Sequence, residues 1–102
     1  MDHTDEDLQV ALKNWGIVPS GTEELWEQSI AALTVIVKRM LLTDRKKFIN
    51  DLYRLDVSEI KLTQTFKTLA PGDQPRAIAE LILRREIQKA ETRRKYPPPQ
   101  MD

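Results

Sequence analysis

Six cations crowd the last part of this 102-residue chain: Arg84, Arg85, Lys89, Arg93, Arg94 and Lys95, opposed over the same stretch only by Glu86 and Glu91. Arg85, Lys89 and Arg93 recur every four residues, a spacing that places them on one face of a helix. Guanidinium and ammonium groups in such a row bind anions rather than make or break bonds, and both carboxylates and phosphates fit them. Arg84, Arg85, Lys89, Arg93 and Arg94 are therefore the candidate partner-binding residues. The competing reading is local: bases near the C-terminal end of a helix offset its dipole and stay solvated.

A protein partner, or a second copy of the chain, suits this face better than nucleic acid does. Nucleic-acid binders are usually strongly basic and carry exposed aromatics on which bases stack. Here the isoelectric point is near 6.6, and Tyr96 is the only aromatic close to the cations. A helix-turn-helix reading also fails, because the break Leu42-Thr43-Asp44 has no turn glycine. Phosphate contact through the same cations is kept as the alternative.

Other reactive residue types point to structure rather than chemistry. Asp51, Asp56 and Glu59 lie close together, but acid–base catalysis needs two carboxylates facing each other in a cleft. Asp56 or Ser58 as a helix cap, and Asp51 paired with Lys47 along a helix, account for them. Ser20, Ser29 and Ser58 have no histidine to activate them, since the single His3 lies in the polar N-terminal tail. The acids Asp2, Asp5 and Asp7 lack the glycine and distal glutamate of a calcium loop, and the three glycines are isolated. No catalytic, metal or cofactor site is expected, and the chain reads as a non-enzyme. Trp15 and Trp26 are expected as lids on the core; at an interface they would serve as anchors.

Composition narrows the setting. There is no cysteine, which excludes disulfides and thiolate chemistry. The N-terminus is acidic where a secretion signal is basic and then apolar. The longest uncharged stretch, Gln28–Val37, is ten residues, against the ~20 that span a bilayer. A cytoplasmic location and no membrane partner are expected. Net charge is zero overall, but residues 1–37 hold seven acids and one base (net −6) while residues 38–102 hold fifteen bases and nine acids (net +6). Such polarity marks either a surface for a charged partner or acidic and basic helices packed together.

The elements that must position these residues are helices. Leu8, Ala11, Leu12 and Trp15 predict one from Asp5 to Asn14, stopped by Gly16. A second starts at Ser20 or Thr22, with Ser20 and Glu23 spaced as a capping box, and runs to about Leu42. Its main stripe is Trp26, Ile30, Leu33, Val37 and Met40, widened by Leu25, Ala32, Ile36 and Leu41. Being apolar nearly all round, it is expected to be the buried centre. A third helix, about Asp44 to Leu55, buries Phe48, Ile49, Leu52 and Leu55. A fourth, Ser58 to Leu69, buries Leu62, Phe66 and Leu69 with Ile60 in support. After the turn Ala70–Pro75, with Asp73 as cap and Pro75 in the first turn, a last helix reaches about Lys95. The expectation is an all-α bundle of four to five helices packed antiparallel around the second, with a long C-terminal helix. Residues 5–96 form the single domain, between a disordered acidic tail (1–4) and a disordered proline-rich tail (97–102).

Overall fold

The computed structural model describes residues 5–17 and 25–96. They form five helices and no strand among the described residues: α1 (Asp5–Asn14), α2 (Leu25–Thr43), α3 (Arg45–Arg54), α4 (Glu59–Thr68) and α5 (Gln74–Lys95). The all-α bundle with a long C-terminal helix is therefore what the chain adopts. The expected tails at 1–4 and 97–102, and the Ser20 or Thr22 cap with Glu23, lie outside the described residues.

Local chemistry sets the helix ends. Gly16 takes a left-handed φ of 68°, and beside it the Ile17 N–H turns back to the Leu12 carbonyl at 3.0 Å, closing α1. The Asp44 carboxylate accepts the Lys47 N–H (3.1 Å) at the start of α3, and Ser58 Oγ accepts the Lys61 N–H (3.3 Å) at the start of α4. Asp73 departs from expectation. It stands at the N-cap of α5 but makes no side-chain capping bond, because its own backbone is already helical (φ −94°, ψ −13°). The junction is held instead by Gln74 Nε2, which donates to the Leu69 carbonyl at 3.1 Å.

The topology corrects the antiparallel packing expected around α2. Glu27, near the start of α2, meets Arg76, near the start of α5, at 3.1 Å. Further along, Ile36 and Met40 share a cleft with Lys89 and Arg93. The two helices thus run in the same direction. Between them, α3 and α4 fold back on each other, with Arg45 at the start of α3 lying over Phe66 near the end of α4. The link from Leu69 to Gln74 then leads into α5, whose first turn places Arg76 beside Glu27. α1 runs against α5, with Asp7 paired to Arg94 and Asn14 bonded to Glu86.

The centre is also placed differently. α5 packs against α1, α2 and α4, and Ile78, Ala79, Ile82 and Leu83 have no exposed surface. α2 buries only one side, through Ser29, Ile30, Leu33 and Val37. Its opposite side carries Val35 (58% exposed) and Leu42 (81%). At about 100° per residue, both fall between Lys38 and Arg39, and a face holding two cations cannot be buried without leaving them unpaired. α4 shows the same logic: Leu62 and Thr65 are buried, while Ile60 is 72% exposed and Leu69 also faces outward. Ile60 lies two positions from Leu62 and so points to the other side. Thr65 enters the core because its hydroxyl donates to the Lys61 carbonyl at 2.9 Å. None of the described helices is long and apolar enough to cross a membrane.

The two faces of α2 give the first prediction. Leu33→Ala, on the buried side, should lower the free energy of unfolding by about 2–5 kcal/mol. Val35→Ala, two residues on, should change it by no more than about 0.5 kcal/mol. Urea denaturation of both variants checks the assignment, and equal effects would contradict it.

Candidate functional site

α5 is a ridge between two clefts, and its basic stretch is divided between them. The first cleft, about 460 Å³, lies between α5, the α3–α4 turn and the start of α2. Trp26, Val57, Leu81 and Ile87 supply its apolar walls, and Lys61, Arg84 and Arg85 its cations. The turn is pinned by buried Val57, whose N–H donates to the Leu52 carbonyl at 3.1 Å. Asp56 sits there at φ 62°, a left-handed conformation that aspartate tolerates better than most residues. It is therefore not the α4 cap, a role held by Ser58. Its carboxylate lies 3.5 Å from Arg85 Nη2, and Arg85 Nη1 donates to Gln88 Oε1 at 2.9 Å. The Arg84 guanidinium lies over the Trp26 ring, 5.4 Å from its centre, a cation–π contact that holds both side chains at the mouth.

The second cleft, about 760 Å³, opens on the other flank, between α1, α2, the end of α3 and α5. Val10, Trp15, Ile36 and Met40 give it apolar walls; Arg54, Lys89 and Arg93 are its cations. Glu86, only 6% exposed, accepts from Asn14 Nδ2 at 2.9 Å and lies 3.9 Å from Lys89 Nζ. Asp51 lines the same cleft; its expected partner Lys47 is not among the ion pairs of the described residues.

The five candidate residues thus do not form one patch. Arg84 and Arg85 border the first cleft, and Lys89 and Arg93 the second. Each step of four residues advances about 40° around a helix, so Arg85 and Arg93 have drifted far enough apart to lie on opposite flanks. Arg94 turns toward α1 and grips Asp7 with a two-pronged bond, Nε to Oδ1 and Nη2 to Oδ2, both 3.1 Å. Asp7 is buried, so this contact lies within the fold. Together with Glu27–Arg76 it resolves part of the front-to-rear charge polarity as internal pairing. Trp15 and Trp26 are each half-buried, serving as lid and as cleft wall at once.

Sequence reasoning overlooked Glu86, although a signal was present. It falls in the stripe Ala79, Ile82, Leu83, Ile87 and Ala90, all buried, and a charge in such a stripe demands a partner. The contacts of Trp26 with Arg84 and of Asp56 with Arg85 carry no such local mark.

Arg93 and Arg94 are neighbours in sequence with different surroundings. Arg94→Met should lower stability by about 1–3 kcal/mol, since it strips a buried carboxylate of two charge-assisted hydrogen bonds. Arg93→Met should stay within about 0.5 kcal/mol. Thermal and urea unfolding at one pH distinguish them. Comparison with protein-family models, with curated proteins and with solved structures returns no match to this chain, so a functional reading rests on the geometry of these two clefts.

Proposed function

We propose that this chain is a non-enzymatic protein–protein interaction module, an adaptor or regulator in the cytoplasm, that holds an acidic partner along α5. The observation that carries this reading is the pairing, on both flanks of α5, of an open apolar cleft walled by a tryptophan with cations at its edge. Tryptophan and arginine dominate the energetics of protein interfaces, where an apolar anchor enters a pocket and charges orient it. Open clefts of several hundred Å³ have room for more than one side chain of a docked segment.

The cations are not equally available. Arg85 is engaged by Asp56, Lys89 lies beside Glu86, and Arg94 is committed to Asp7. Arg84, lying over Trp26, and Arg93 are exposed, one at each cleft. What favours a protein over nucleic acid as the occupant is the apolar walls, which attract aliphatic or aromatic side chains that a phosphate backbone does not offer.

The test uses a random peptide display library selected on the intact protein, with affinities of selected peptides then measured by fluorescence anisotropy. Selected peptides should combine acidic residues with an aromatic or large aliphatic residue. Arg84→Glu with Arg93→Glu should weaken their binding about tenfold or more, with helicity and melting temperature unchanged. Undiminished binding by the folded double variant would overturn the proposal. Failure to select any peptide, together with steeply salt-dependent binding to duplex or single-stranded DNA, would favour nucleic acid. Sedimentation of the free protein shows whether the occupant is a second copy.

A further inference from the structure

The cations of α5 are not the most weakly neutralised in the molecule. At the corner where α2 meets α3, Lys38, Arg39, Arg45, Lys46 and Lys47 fall within ten residues. All five are exposed, and none forms an ion pair with a described residue. Asp44 is the one acid in this stretch, and its carboxylate caps α3. Leu42, 81% exposed, stands amid these charges. Val35 follows one face back along α2, between Lys38 and Arg39.

We propose that this corner is a surface contact for an anionic lipid bilayer. Lys38, Arg39, Lys46 and Lys47 meet the headgroups, while Leu42 enters the boundary between headgroups and acyl chains. Charge complementarity selects the occupant's sign, and the exposed aliphatic residues select its kind. A basic face with an aliphatic residue at its centre matches an interfacial element, which lies on a membrane and needs no spanning segment. Nucleic acid would draw on the same cations but would leave Leu42 without a role. The five cations have no aromatic among them; Phe66 beside them is covered by Arg45, and the exposed Tyr53 lies two turns along α3 from Lys46. A two-fold contact between copies through this corner would set its cations against their own images. The outward face of α2 is opposite its core stripe, so the contact leaves the α5 clefts accessible and stands independently of the function proposed for them.

The test is co-sedimentation of the full chain with phosphatidylcholine vesicles, with and without phosphatidylglycerol. Binding should require the anionic lipid and fall as salt rises, because the charges are exposed and screened. Lys38→Glu with Lys46→Glu should weaken it about tenfold or more. Leu42→Ser should weaken it severalfold with charge unchanged. The native sequence has no cysteine, so Leu42→Cys can carry a single environment-sensitive dye, whose emission should shift to the blue on anionic vesicles. Circular dichroism establishes that each variant is folded. Absence of binding to anionic vesicles at low salt overturns the proposal, as does binding indifferent to the double charge reversal. DNA binding that the charge reversal abolishes and Leu42→Ser spares, without vesicle binding, assigns the corner to nucleic acid instead.

Discussion

Burial of α5 is the constraint on which the other helices depend. From Ile78 to Leu83 this helix is apolar on most sides, and four of its residues there have no contact with solvent. Fully burying a residue of the size of Ile or Leu is worth about 1.5–3 kcal/mol, and α5 alone cannot collect it. It needs cover from several directions. α2 supplies Ile30, Leu33 and Val37; α1 supplies Leu8, Ala11 and Leu12; α4 supplies Leu62. The α3–α4 hairpin adds to this cover through Phe48, Leu52 and Leu62.

Charge then determines how the covering helices align. Asp7 and Glu86 are both buried, and a buried carboxylate is tolerated only with partners in place. Asp7 has Arg94, and Glu86 has Asn14 and the nearby Lys89. The bonds Asp7–Arg94 and Asn14–Glu86 join α1 and α5 at points far apart along both helices. A slide of one helix past the other would leave a carboxylate unpaired in the interior. Apolar contacts tolerate small shifts; these pairs do not, so they set the register of α1 on α5.

The same economy shapes the surface. Some cations are drawn into internal pairs, and others stay at the surface. On α5, Arg84 over Trp26 and Arg93 border separate clefts, each beside apolar walls. At the α2–α3 corner a group of bases surrounds an exposed leucine. The corner and the clefts differ in charge: at the corner Asp44 is the one acid among five bases, whereas several carboxylates line the two clefts.

Much of this was legible in the residues alone. Helical spacing marked α1, α3 and α4 to within a residue or two, since hydrophobic period and capping groups are local properties of the chain. Gly16, Asp44 and Ser58 announced their turns for the same reason. The basic stretch of α5 was legible as a list of residues but not as a surface. Which flank each cation faces depends on the helices packed there, and Arg94 and Asp7 are 87 positions apart. Direction was equally hidden. Nothing in the composition of α2 and α5 states whether they run together or opposed, because that follows from the path of the chain between them. The apolar composition of α2 nearly all round predicts a buried centre, but Val35 and Leu42, outside its main stripe, read as outward once placed beside Lys38 and Arg39. The small all-α domain was determined by the sequence itself, through short-range periodicity. The central helix, the two clefts and the exposed corner were decided by tertiary packing, because each is a relation between segments distant in the chain.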